Sequence, residues 1–295
     1  MAVKRHDDEV LVDERLVRRL LREQFPEWAD LPLTLVEPSG TDHTIFRVGD
    51  ELVARFPAVE YATKQVAREA RSVPFLAPQV PLELPVPVAL GEPGEGYPWS
   101  WSIVRWIDGE RATRDNLDLS RAAVDLAAFI RALHACDATD GPAPGQSTSL
   151  RGMPLSVWDG RLEPWIAKLD GVPGMRDAVA AFEEGRAAPT WDRPPVWLHG
   201  DLTGNLITRA GRLVGAIDSG YAVGDPACDL MPGWTLFRGA DRRRFFAEVG
   251  LDEATILRSR AWAIAPALIG WSYYRDVPHL FENARRAIEG ALAVS

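Results

Sequence analysis

A chain of 295 residues with 46% hydrophobic and 25% charged side chains has material for two lobes and a substantial core. Its 33 Lys and Arg against 42 Asp and Glu leave a net charge of −9, which disfavours nucleic-acid binding and suits a cationic small-molecule partner. No apolar run is long enough to span a bilayer, and the opening MAVKRHDDEV lacks the apolar stretch of a signal peptide. Cys136 and Cys228 are the only cysteines, so the expected setting is cytoplasmic, with reduced thiols and neither a disulfide framework nor a zinc site.

Residues 13–25 place Leu16, Val17, Leu20 and Leu21 on one face behind Asp13, the pattern of a capped amphipathic helix. Residues 33–36, 44–48 and 52–56 read as strands, with Gly49-Asp50 as the turn between the second and third. Arg55 lies at the end of that third strand. A helix over 61–75 carries Glu69, a partner for its guanidinium. The proline-rich run from Pro78 to Pro87 reads as an extended connector. Strands follow at 86–90 and 101–106, joined by Gly91–Gly96, whose two glutamates would repel phosphate and mark a plain hairpin.

Periodic apolar residues from Ala122 to Leu133 make a helix over 119–134, and GPAPGQSTS at 141–149 is a loop. Helical segments are expected over 155–169 and 175–186, and again over 242–249, 254–274 and 279–292.

The stretch from Trp197 to Asp229 carries the chemistry. Val196–Leu198 is a short apolar run, so His199-Gly200-Asp201 falls where a strand gives way to a loop. Residues 206–209 and 212–217 flank Ala210-Gly211, a hairpin signal. Pairing backwards from that turn sets Arg209 opposite Arg212 and Asp218 opposite Thr203. Asp201, Asn205 and Asp218 then gather at the hairpin's open end. Two carboxylates and an amide oxygen suit a hard cation such as Mg²⁺, and a further carboxylate beside it can take a proton from an attacking hydroxyl. Phosphoryl transfer needs that set, because its work is positioning and charge neutralisation. Downstream, Asp225 is a good N-cap, Pro226 a good first helical residue, and Asp229 falls where its carboxylate can meet loop amides.

HGD followed by a near Asn, a hairpin, IDSG in the place of a kinase DFG, and GDPACDL together resemble the aminoglycoside phosphotransferase family over most of the chain. The resemblance implies an α+β, bilobal, protein-kinase-like fold. Residues 1–106 would form a nucleotide-binding lobe with an antiparallel sheet, and residues 107–295 a mainly helical lobe for catalysis and acceptor binding. It implies Asp201 as catalytic base, Asn205 and Asp218 as Mg²⁺ ligands, and His199 as a loop organiser. Ser39 would sit in the turn that covers the nucleotide phosphates. Arg55, steadied by Glu69, would hold the α- and β-phosphates, and main-chain groups around Arg105 and Ile107 would read the purine. The donor would be ATP or GTP and the acceptor a hydroxylated small molecule. An aminoglycoside-like cation is favoured, met by Trp262, Trp271, Tyr273, Tyr274, Asp276, Glu282 and Glu289. A neutral acceptor (a macrolide, sugar, nucleoside or other metabolite) is the alternative.

The sequence departs from the family in two places. Asp201 and Asn205 are four apart, one fewer than usual, and Ser219 stands where an aromatic residue is common. Other classes fit less well. No G-x-S-x-G elbow occurs, and the five histidines are scattered. A metal-dependent phosphatase would leave the strand-rich N-terminal region with Arg55 and Glu69 unexplained. A nucleotide-binding pseudokinase-like module would need no base.

Overall fold

In the computed structural model, residues 9–37, 42–275 and 277–293 are described, and the chain divides into two compact units. One comprises the chain up to Pro78 together with Glu83–Asp108; the other comprises Gln79–Leu82 and the chain from Gly109 onward. The architecture is α+β, with an antiparallel sheet in the first unit and a mainly helical second unit.

The first unit opens with α1 (Glu14–Gln24), where Asp13 Oδ1 accepts from Leu16 N at 2.8 Å and Val17, Leu20 and Leu21 are buried. Strands β1 (Leu33–Leu35), β2 (His43–Val48), β3 (Leu52–Pro57), β4 (Pro87–Gly91) and β5 (Trp101–Arg105) form one antiparallel sheet in the order β1-β2-β3-β5-β4. Every residue of central β3 is buried, so Arg55 stands inside the strand opposite Ile45 and Ser102, two residues short of its end. Phe56 stacks on Trp101 at 4.6 Å, and a side chain at Gly91 would run into the Trp101 ring, which accounts for that glycine. Helix α2 (Thr63–Leu76) buries Val66, Glu69, Val73 and Leu76, one face at helical spacing.

In the second unit β6 (Glu110–Arg111) joins the hairpin β8 (Leu206–Arg209) and β9 (Arg212–Ala216), while β7 (Val196–Leu198) pairs with β10 (Ala222–Gly224). The helices are α3 (Leu119–Ala135), α4 (Glu163–Ala167), α5 (Met175–Ala187), α6 (Pro232–Thr235), α7 (Gly239–Val249), α8 (Glu253–Tyr273) and α9 (Pro278–Leu292). Helix α8 is apolar almost all round, as a helix packed on several sides must be, and buries Ala261 to Ala265 and Leu268. None of the helices among the described residues is long and apolar enough to cross a membrane.

The single helix expected over 155–169 is broken. A 3₁₀ turn at Leu155–Trp158 precedes α4, because Gly160 takes a left-handed φ of 73° and Pro164 can stand only in a first helical turn.

Arginines tie the helices together. Arg242 Nη2 and Arg260 Nε take the terminal carbonyls of Gly290 and Ala291 on α9 at 2.7 Å each, and Arg242 Nη1 takes that of Ala293. Burial, helped by neighbouring Arg238, Arg260 and Arg114, pulls the Arg242 guanidinium down to about 10. On α8, Arg258 Nε and Nη2 bond Asp225 Oδ2 and Oδ1 at 2.8 and 3.1 Å, and both side chains are buried. Arg258→Ala strands the Asp225 charge in that interior. Urea unfolding of the variant should show a loss of about 3–5 kcal/mol, the scale for breaking a buried pair from one side. A loss below about 1 kcal/mol would contradict the pair's anchoring role.

Candidate active site

Strand β7 pairs with β10 through Trp197 opposite Val223 and Leu198 opposite Ala222. His199, Gly200 and Asp201 leave the end of β7 beside the returning chain, where Gly220 N donates to His199 O at 3.0 Å. Below them Asp225 caps a 3₁₀ turn, Pro226–Leu230, by accepting from Ala227 N at 3.0 Å, and Pro226 fills a position where no N–H is needed. That turn lifts Asp229, 0% exposed, under the loop. Asp229 Oδ1 accepts from Gly200 N at 2.7 Å and Oδ2 from His199 N at 3.1 Å, while His134 Nε2, at the end of α3, lies 3.2 Å from Oδ2. A buried carboxylate is stable only with partners of this kind. The expectation that Asp229 meets loop amides describes what the structure contains.

The His199 ring is also 0% exposed, set edgewise to Phe129 and Tyr221 at centroid distances of 6.5 and 5.8 Å. Its Nδ1 accepts from Asp201 N at 3.2 Å, which places the proton of the neutral ring on Nε2. Burial depresses the imidazole to about 4, against the opposing pull of Asp229 and Asp218. His199 is therefore a neutral acceptor fixing the loop's backbone, with no charge to offer.

From Asp201 the chain turns tightly through Gly204, φ 81°, and Asn205 Nδ2 reaches back to Asp201 O at 2.9 Å. With the amide nitrogen so committed, Oδ1 is the Asn205 atom left to coordinate a cation. Asp201 Oδ1 accepts from Arg151 Nη2 at 3.0 Å.

The hairpin turn at Ala210-Gly211 has φ of 51° and 79°, the two positive values of a type I′ turn. Pairing follows the expected register for Arg209 with Arg212 and Thr208 with Leu213, then slips. Val214 is left unpaired, and the ladder resumes with Ile207 opposite Gly215 and Leu206 opposite Ala216. Ile217 N consequently bonds Asn205 O at 2.9 Å, so Asp218 follows one position beyond Asn205's partner and is not opposite Thr203. Asp218 takes a left-handed φ of 56°, which Asp tolerates better than most residues. Among the described residues no three His, Cys, Asp or Glu converge as a metal group. The Ile217 N to Asn205 O bond sets Asn205 and Asp218, the expected cation ligands, in neighbouring positions at the hairpin's open end.

In the first unit Arg55 Nη1 donates to Glu69 Oε2, and Gln65 Nε2 holds Glu69 Oε1 at 2.9 Å; Arg55 and Glu69 are both buried. Arg105 N bonds Val86 O at 3.0 Å at the end of β5, and its side chain is exposed. Trp106 N bonds Glu51 O at 2.7 Å, and Ile107 follows with a buried side chain. Ser39 and Asp276 lie outside the described residues.

The remaining acceptor-site candidates separate. Trp262 is core, 1% exposed and edgewise to Trp158 at 5.8 Å. Trp271 packs on Phe281 at 5.2 Å. Tyr273, 59% exposed, stands between Trp165 and Tyr274 at 6.1 and 5.0 Å. Glu282 receives Arg285 and Arg286, whose hydrogen bonds hold it down at about 2, and Glu289 pairs with Arg285.

Sequence reasoning passed over Arg151, which follows a Gly/Ser/Thr loop with no periodic signal, and Arg258, hidden inside an apolar helix. The burial of His199 sets a pH dependence. An unfolded histidine titrates near 6.5 while the folded one titrates near 4, so acid favours the unfolded chain. The contribution is complete above pH 6.5 and is lost as pH falls towards 4, on the order of 3 kcal/mol in all. The difference in unfolding free energy between wild type and His199→Asn, followed from pH 7.5 to 4, should carry that slope. Parallel curves for the two proteins would contradict it.

The phosphotransferase enzyme family model matches residues 33–263. No curated protein matches by sequence. Among solved structures, a GDP complex of wild-type aminoglycoside 2'-phosphotransferase-IIIa is 19% identical, with a TM-score of 0.71 over 96% of this chain and 99% of that one. A gentamicin complex of APH(2")-IIa is 18% identical, with a TM-score of 0.64 over 97% and 100%. The macrolide 2'-phosphotransferase MphH from Brachybacterium faecium is 19% identical, with a TM-score of 0.62 over 94% and 98%. At these identities the likeness to the solved structures is one of fold. The family match spans most of the sequence, and the chain belongs to the phosphotransferase enzyme family.

Proposed function

We propose that this protein transfers the γ-phosphoryl group of ATP or GTP to a hydroxyl of a small molecule. The observation that carries the reading is the ordered loop on Asp229. Its buried carboxylate takes the amides of His199 and Gly200, so that Asp201 follows a fixed backbone and Asn205 is folded back beside it. Asp201 is the general base, taking the acceptor hydroxyl's proton as its oxygen attacks the γ-phosphorus and the bond from that phosphorus to the bridging oxygen breaks, releasing ADP or GDP. Asn205 Oδ1 and the Asp218 carboxylate would hold Mg²⁺, which keeps places for substrate phosphates and needs only one or two protein carboxylates. When bound, that ion supplies neutralisation of charge on the transferring phosphates.

Arg55, buried on β3 and steadied by Glu69, would grip the α- and β-phosphates with a charge that never titrates away. The turn at Ser39 would cover the phosphates, and backbone groups at Arg105 and Ile107 would read the purine. ATP and GTP are both carried as donors because related folds are known with GDP and with ATP. Residues up to 106 would serve the nucleotide, and the rest catalysis and the acceptor. A cytoplasmic setting is supported by Cys136 and Cys228, both free and buried.

For the acceptor, the exposed Tyr273 beside Trp165 and the net charge of −9 support an aminoglycoside-like cation and a role in antibiotic resistance. A second reading, a neutral acceptor such as a macrolide, is favoured by the arginine pairing of Glu282 and Glu289, which leaves those acids already neutralised. A panel of both classes, assayed for nucleotide consumption, separates the two. A cationic acceptor should show a Michaelis constant that rises with salt, whereas turnover of neutral acceptors alone, without a salt effect, overturns the cationic reading.

The aspartates divide the work. Asp218→Asn should weaken Mg²⁺-nucleotide binding measured by calorimetry. Asp201→Asn should leave that binding near wild type and lower turnover by roughly 10² or more. Equal loss of nucleotide affinity in both variants would sink the assignment.

A further inference from the structure

Arg151, on a segment that no motif marks, brings a guanidinium to 3.0 Å from Asp201 Oδ1. Arg151 closes a compact knot. Thr148, buried, accepts from Gly145 N at 3.0 Å and donates to Gly145 O at 2.8 Å through its hydroxyl, while Arg151 N bonds Thr148 O at 3.1 Å. Ser149 and Leu150 both hold left-handed φ values, 51° and 67°, in the two positions before Arg151. Neither is glycine, so the surrounding contacts must over-determine a strained backbone here. On the other side Gly152 O accepts from Asp225 N at 2.9 Å. A side chain added at Gly152 would meet Leu198 of β7 at 2.5 Å. Arg151 is thus held by its own loop on one flank and, through Gly152, by the turn and strand that carry the catalytic loop on the other.

The same knot touches the second half of the site. A Cβ on Gly220 would lie 3.6 Å from both Cα and Cβ of Thr148, so Thr148 packs against the backbone two residues beyond Asp218. One short segment therefore bears on the base directly and on the metal-ligand loop through its backbone.

We propose that Arg151 is a positioning residue for Asp201, holding carboxylate oxygen Oδ1 so that the side chain keeps the one rotamer in which it can take a proton from the acceptor. The inference rests on Asp201 being the general base. An Asp side chain turns about two bonds, and a base must meet its proton within hydrogen-bond reach. A planar guanidinium at 3.0 Å, itself only 20% exposed and always charged, removes that freedom. The geometry gives Arg151 a part in turnover and none in holding the nucleotide.

The experiment uses the full chain with Mg²⁺ and ATP or GTP, with kanamycin and a macrolide as acceptors, and with water alone through phosphate release. Arg151→Ala should lower kcat about 10- to 10²-fold, the cost of a misplaced reacting group, while nucleotide affinity by calorimetry stays within twofold of wild type. Arg151→Lys, which keeps the stem and the charge, should recover part of the loss and guards against a simple folding defect. The deciding measurement is the double variant Asp201→Asn with Arg151→Ala. If Arg151 acts through Asp201, the double variant is no slower than Asp201→Asn alone. Losses that multiply, a wild-type kcat in Arg151→Ala, or a fall in nucleotide affinity matching the fall in kcat would each overturn the proposal. An Asp201→Asn variant that turns over like wild type would instead remove the base reading on which it rests.

Discussion

A charged carboxylate with no access to solvent is among the most demanding groups a fold can contain, and Asp229 is one. Its oxygens are met by two loop amides and an imidazole, so the His199-Gly200-Asp201 backbone has one low-energy arrangement over it. Removing the carboxylate would leave two buried N–H groups unpartnered, which costs more than the net contribution of the bonds themselves. Four residues earlier on the same turn, Asp225 faces the other way and takes Arg258 of α8. The GDPACD stretch is therefore a two-sided clamp. One aspartate fixes the turn to the helical core, and the other fixes the reactive loop to the turn. The placement of Asp201 is inherited from helix packing, through a chain of buried hydrogen bonds.

The features legible in the sequence were those whose physics is local. Helix α1 announced itself by Asp13 and an apolar face, the β8–β9 turn by Ala210-Gly211, and the clamp by a capping residue followed by proline. The Arg55–Glu69 contact was legible as a complementary pair on a strand and the next helix. The break at Gly160 and Pro164 was present in the residues, yet the apolar spacing of 155–169 outweighed it. Two features had no local signal. The bulge at Val214 leaves the apolar composition of β9 unchanged, because Leu213, Val214 and Ala216 read equally well in either register. Arg151 earns its place only through a partner fifty residues away, brought there by a loop without periodicity.

The bulge decides where Asp218 falls. In an unbroken ladder Asn205 would face Ala216, leaving Asp218 two positions further along. The unpaired Val214 advances the strand by one, so Asn205 faces Ile217 and Asp218 comes next. The left-handed backbone at Asp218 then ends the strand's side-to-side alternation at that residue. A loop of four between Asp201 and Asn205 folds the amide back onto its own Asp201 carbonyl, which fixes which end of the amide a cation meets. The unpaired Val214 alone thus keeps Asn205 and Asp218 in neighbouring positions.

Net charge and local charge give different accounts of the acceptor. A charge of −9 spread over the chain raises the encounter rate of cations with the whole surface and says little about any one site. Contact recognition depends on acids whose charge is not already met. On α9, Glu282 and Glu289 lie three or four residues from Arg285 and Arg286, and the helix itself satisfies them. A cation binding there would have to displace a guanidinium already held at helical spacing, so its gain would be the difference between two similar ion pairs. Aromatic faces receive a sugar ring, an apolar macrocycle or an ammonium group on comparable terms, and Lys168 already stands over Trp165 at 4.3 Å. An acceptor site of the kind proposed at Tyr273 and Trp165 would therefore depend on aromatic faces more than on the acids of α9.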